Sequence, residues 1–248
     1  MDAGQLLLTG TVFLLAGIVK GIVGFGLPTV CLALFALTTG LVEAMALLLW
    51  PSFVTNLVQA LQGGQFLALL KRLQALLIPA FLLIFAGTLV LQSVEMTVMS
   101  SLLGILIIVY AVLTLSGFRT SWSKKRNTFF GLVSGGLNGL LTGMTGSFVM
   151  PGVLYLNNLG LPRDQLVQAM GILFTVSTVG LGIALGGHGL ISTQMTWISL
   201  AGVVPALIGM SVGRRIRVRL PEQTFRRIFL LALLGLGAFI ILHAAAGW

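Results

Sequence analysis

The sequence predicts an all-α polytopic membrane protein of two inverted-topology repeats, each a broken, re-entrant helical segment followed by three transmembrane helices. Three observations carry that expectation. The chain is too poor in charge for a soluble domain, it has glycine-rich interruptions at corresponding places in its two halves, and its basic residues fit only one arrangement across a membrane.

Of 248 residues, 57% are hydrophobic and 8% are charged, and the mean hydropathy is +1.09. A soluble domain carries about 25% charged residues, so the apolar excess must face lipid. The 32 glycines follow no three-residue period and suit helices that pack closely in a bilayer. A net charge of +9 would suggest nucleic acid in a soluble chain. Here the basic residues cluster between apolar runs, so the bilayer with its anionic headgroups is the expected partner and nucleic acid is not. The single cysteine, Cys31, rules out an internal disulfide and a multi-cysteine metal site. Met1-Asp2 carries no basic leader, so the first apolar run reads as a retained segment.

The first repeat covers 1–118. It opens with a broken segment over 5–40 and continues with spans near 43–62, 73–91 and 97–116. A basic linker at 119–127 leads to the second repeat, 128–248, with a broken segment over 128–158 and spans near 165–185, 193–213 and 224–243. The interruptions are KGIVGFGLP at 20–28 and NGLLTGMTGSFVMP at 138–151. Clustered Gly weakens a helix and a following Pro suits the first turn of a new one. Gly17, Lys20 and Gly21 match Gly135, Asn138 and Gly139 at an offset of 118, and Pro79 and Gly87 match Pro205 and Gly213 at 126. Self-similarity of this kind marks transporter folds.

Charge then sets the topology. If each broken segment crosses once, six basic residues (Lys71, Arg72, Arg119, Lys124, Lys125, Arg126) fall on one side and seven (Arg163, Arg214, Arg215, Arg217, Arg219, Arg226, Arg227) on the other. If each doubles back, all thirteen share a side, which the positive-inside rule makes cytoplasmic. Both termini are then extracytoplasmic, on the side of Asp2, Glu43 and Glu95. A helix over residues 5–19 reaches only about 22 Å, short of the ~30 Å core, so the segments are expected to be hairpins.

Lys20 sits apart from the basic clusters. At membrane depth a lysine costs roughly 2.5–3.5 kcal/mol and usually serves a function. No acidic residue lies mid-span to balance it, so a bound anion fits the role. Half-helices starting at Pro28 and Pro151 would add positive N-terminal ends beside Gly24, Gly26 and Gly146. Asn138, Thr142, Thr145 and Ser147 surround the second break, while Ser52, Thr55, Asn56, Thr175, Ser177 and Thr178 on adjoining spans offer a polar cage. The expected substrate site is Lys20, Gly24, Gly26, Ser52, Thr55, Asn56, Asn138, Thr142, Thr145, Gly146, Ser147, Thr175 and Thr178. No catalytic residue, metal ligand or cofactor motif is expected; Ser147 after Gly146 is only a faint nucleophile turn, and His188 and His243 fall at segment ends.

The paired broken segments ending in Pro, together with GMSVGRRIRVRLPEQTFRRIFLLALLGL at 209–236, resemble the TauE/SafE sulfite exporter family over nearly the whole chain. The resemblance implies a multi-pass protein of the cell inner membrane that transports sulfite, sulfoacetate or a related small anion. Family members carry a richer glycine run in the first repeat, where this chain reads GFGLP beside Lys20. Export by alternating access is the expectation. The alternatives are ion-coupled import of the same anions, an intramembrane enzyme using Ser147, and a membrane assembly factor. Homo-oligomerisation stays open.

Overall fold

The computed structural model describes residues 3–117, 127–217 and 222–246. Every regular element in them is a helix. The basic linker residues 119–126 and Arg219 lie outside the described residues. Of the 119–127 linker expected from sequence, only Asn127 is described, as the first residue of a helix.

The first broken segment forms α1 (Ala3–Val23) and α2 (Leu27–Ala36), and the second forms α8 (Asn127–Thr145) and α9 (Gly152–Asn158). The breaks therefore fall inside the two glycine-proline motifs. Each segment turns back on itself. Phe35 near the end of α2 packs on Phe13 in mid-α1, with ring centroids 5.1 Å apart. In α9 the Tyr155 hydroxyl donates to the Asn127 carbonyl at the start of α8, 3.0 Å away.

One expectation is corrected here. The first arm is not half-length: α1 runs 21 residues, about 31 Å at 1.5 Å per residue, and is long and apolar enough to cross a membrane. It continues through Gly17 and Gly21 because those glycines lie on the backbone of a neighbouring helix, where a Cβ would strike the carbonyls of Ala206 and Met210. Close packing offsets their poor intrinsic propensity.

The remaining helices follow the expected spans with one departure. Residues 41–61 form α3 (Leu41–Leu47) and α4 (Leu49–Leu61), bent by 45° at Leu48. The Ser199 hydroxyl stitches the bend, donating to the Leu47 carbonyl at 2.6 Å and accepting from the Trp50 amide at 3.1 Å. After a short α5 (Phe66–Arg72) come α6 (Gln74–Ser93), α7 (Met96–Leu115), α10 (Arg163–Gly187), α11 (Thr193–Arg217) and α12 (Glu222–Ala245). Six of the described helices have spanning length and composition, α1 taking the place expected of 43–62, and the bent α3–α4 pair would add a seventh.

Helices of the two halves interleave. α1 lies parallel to α11, with Gly17, Gly21, Gly209 and Gly213 facing the partner backbone. α8 lies parallel to α6 in the same manner, Gly139 against the Ala80 carbonyl and Gly143 against that of Ile84. α4 and α10 run antiparallel, Ala60 beside Gly171 and Leu49 beside Gly182, and α7 meets α12 through Gly104 and Gly237. The contacts match Gly17 with Gly139 and Gly21 with Gly143, an offset of 122. That is one helical turn beyond the offset of 118 read from sequence, because Gly131, Gly135, Gly139 and Gly143 recur every four residues along α8 and the Gly17–Gly21 pair alone cannot choose among its turns.

Candidate functional site

The site begins at the end of α1. Lys20, in its last turn, is 2% exposed. Its ammonium donates to the Thr55 hydroxyl at 3.0 Å and to the Asn56 side-chain carbonyl, both on α4 and both fully buried. Thr55 passes its own proton to the Pro51 carbonyl at 2.6 Å, which leaves its oxygen as an acceptor for Lys20. Asn56 donates across to the Thr178 hydroxyl on α10 at 3.4 Å, and Thr178 in turn donates to the Phe174 carbonyl. Lys20, Thr55, Asn56 and Thr178 thus meet at the crossing of α4 and α10. Two of the ammonium's three protons are used inside the protein, and one remains for a ligand.

Lys20 lines a cavity of about 750 Å³ shared with Gln59, Gln62, Gln168, Arg214 and Arg217, with Arg163 and Asp164 at its edge. The glutamines brace its walls. Gln59 donates to the carbonyls of Gly24 and Val167 at 2.8 and 2.7 Å, tying the first break to α10. Gln168 donates to the Ala60 carbonyl at 2.8 Å, and Arg214 reaches the Gln62 side-chain oxygen at 2.9 Å. Sequence reading passed over Gln59, Gln62 and Gln168. The available signal was an uncharged amide within an otherwise apolar run, which is weaker than a charge. Arg214, one of a basic cluster in the sequence, sits on α11 and lines the same cavity.

The other expected residues separate into a second group. Asn138 accepts the first amide of α9, from Gly152, at 3.1 Å. Thr142 donates to the Ser147 carbonyl at 2.9 Å, Thr145 to that of Leu141, and the Ser147 amide to the Thr145 hydroxyl. Gly146 is wedged against Met45 and Leu32. Thr175 is only half-buried and bonds its own helix at Gly171. Ser52, Ser177 and the Asn138 amide nitrogen are buried without a hydrogen-bond partner.

The helix ends do not converge on Lys20 as expected. Gly26, which starts α2, lies against Phe229 and Val19, so that end is covered by apolar side chains. The start of α9 is already capped by Asn138. Of the first-break glycines, Gly21 and Gly24 line the cavity and Gly26 does not.

At the opposite end of the bundle a separate cavity of about 500 Å³ is lined by Gln5, Thr9, Thr38, Glu43, Ser192 and Gln194. Phe35 also lines it and packs on the fully buried Phe13 of α1. Among the described residues no three of His, Cys, Asp and Glu gather as a metal site requires.

The family model described as Sulfite exporter TauE/SafE matches residues 9–240 of the chain. Neither a curated protein nor a solved structure matches it.

Proposed function

The chain belongs to the TauE/SafE sulfite exporter family, and from that premise we propose a secondary transporter that exports a small organic or sulfur-containing anion, such as sulfite or sulfoacetate, by alternating access. The family is one of transporters and not of enzymes, so the reading of Ser147 as a nucleophile is set aside. One observation carries the proposal: a buried ammonium, held by neutral oxygens with a donor to spare, at the floor of a cavity rimmed by arginines. Such a lysine is balanced by an incoming anion, and the arginines concentrate anions at the mouth.

Further support comes from the packing. Contacts of α1 with α11 recur between α8 and α6, while α4 pairs antiparallel with α10. This pattern fits two halves of inverted topology, 1–118 and 128–248, related by an axis in the membrane plane. The arginine-rich end is the cytoplasmic one in this reading, both termini face outward, and the cavity is open toward the cytoplasm of the cell inner membrane. An anion leaving a cell that is negative inside gains about 2.3 kcal/mol per charge per 100 mV, so export needs no driving ion.

Proteoliposomes loaded with sulfite or a sulfonate test the proposal. Efflux should accelerate as the loaded interior is made negative, and Lys20→Gln should lower it at least tenfold. Uptake that proceeds only with an imposed proton gradient would reverse the direction, and unchanged efflux in Lys20→Gln would remove Lys20 from the site.

A further inference from the structure

We infer that the buried end of α8 binds a monovalent alkali cation at the place where the first half carries the Lys20 ammonium. The inference rests on reading the two halves as exchange mates.

The register between them is set by several independent contacts. Gly21 lies on the Met210 carbonyl and Gly143 on that of Ile84. Gly24 faces Val167 and Gly146 faces Met45. The Gly24 amide bonds the Lys20 carbonyl at 2.8 Å, and the Gly146 amide bonds the Thr142 carbonyl at 2.7 Å. Each pair places the second half 122 residues after the first along the broken segment, and the α4–α10 pairs Ala60 with Gly171 and Leu49 with Gly182 obey the same rule. In this register Thr142 answers Lys20, Ser177 answers Thr55, and Thr178 answers Asn56.

In the first half a positive charge occupies the last turn of α1, where the helix end is electronegative, and bonds the oxygens of Thr55 and Asn56. α8 ends equally deep: Thr145 and Phe148 are fully buried and Ser147 is 4% exposed. Yet its last turn carries no basic residue. The chain unwinds after Thr145; the Gly146 amide takes the Thr142 carbonyl, and the carbonyls of Gly143, Met144 and Thr145 are left without helical partners. Ser177, the mate of the residue that receives the Lys20 ammonium, is fully buried and its hydroxyl has no partner. Thr142 spends its proton on the Ser147 carbonyl, so its oxygen lone pairs are available.

The donor set is therefore hydroxyl and carbonyl oxygen at the negative end of a buried helix. Neutral oxygens suit Na⁺ or K⁺, while a divalent ion calls for carboxylates, and no acidic cluster is present among the described residues. Unwound carbonyls and helix C-terminal ends hold coupling cations in transporters of broken-helix design. One half thus carries a tethered cation and the other an exchangeable one, on either side of the α4–α10 crossing.

The test measures the unfolding midpoint of the purified full-length protein in NaCl, KCl and choline chloride at equal ionic strength, without substrate anion. A saturable rise in NaCl or KCl over choline is expected. Ser177→Ala removes an unpartnered hydroxyl, so it should fold, and it should abolish that rise while keeping the stabilisation produced by added sulfite. Thr142→Lys, which installs the first half's ammonium in the second, should make the midpoint independent of the salt. Equal midpoints in all three salts, or a cation-induced rise that survives Ser177→Ala undiminished, would overturn the inference. A cation-induced rise lost in Ser177→Ala, with no sulfite effect in any variant, would sustain the cation site and defeat the anion reading instead.

Discussion

At the break between α1 and α2, Gly24 rests on the Val167 side chain, a Cβ there having 3.5 Å of clearance, and it borders a cavity of about 750 Å³. At the break between α8 and α9, a Cβ on Gly146 would meet Met45 at 2.7 Å and Leu32 at 3.0 Å, with Phe148 fully buried beside it. Both breaks use a glycine with positive φ, 91° and 73°. Both sit where a long glycine-studded helix leaves its partner from the other half. Equivalent scaffolds therefore hold opposite states, one opened to an arginine-lined mouth and one sealed by α3 and α2. The difference lies in what covers each break: the Val167 side chain and a cavity at one, Met45 and Leu32 at the other.

The strongest way to break this comparison is through the helix contacts both breaks share. Gly21→Ala and Gly143→Ala each push a methyl into a partner carbonyl, and each should cost about 1–3 kcal/mol by thermal unfolding in detergent. A loss at one position alone would show that the halves are not equivalent. A smaller effect separates the covers. Gly24→Ala and Gly146→Ala both force a left-handed alanine, at about 1–2 kcal/mol, but Gly146→Ala also meets Met45. Its midpoint should lie below that of Gly24→Ala, and Met45→Ala should close the gap. The smallest effect concerns the two mouths. Arg217→Gln should slow anion loading several-fold at low salt and hardly at all at high salt, whereas Glu43→Gln at the other end should leave loading from the arginine side unchanged.

Much of this architecture was legible in the sequence because it rests on composition and on Gly and Pro, which act locally. The breaks at 20–28 and 138–151, the spans after each, and the isolation of Lys20 follow from such signals. Three features did not. α1 runs through Gly17 and Gly21 because α11 supports them, a contact with residues nearly two hundred positions away. The bend at Leu48 has a local signal in Pro51, which cannot donate to the Leu47 carbonyl, but the Ser199 hydroxyl that takes that carbonyl instead lies about 150 residues away. The partition of the expected site into a Lys20–Thr55–Asn56–Thr178 group and an Asn138–Thr142–Ser147 group depends on the helix register, which repeated glycines leave ambiguous by one turn. Gln59 and Gln168 became visible only once the carbonyls they serve were in place.

The stitch at Leu48 has a mechanical corollary. Ser199, which clasps the elbow between α3 and α4, and Arg214, which grips Gln62 at the mouth of the Lys20 cavity, ride on the same uninterrupted helix, about 22 Å apart along it at 1.5 Å per residue. A tilt of that lever at the arginine end would tug the elbow at its far end, so the cavity mouth and the α3–α4 bend are rigged to one shaft.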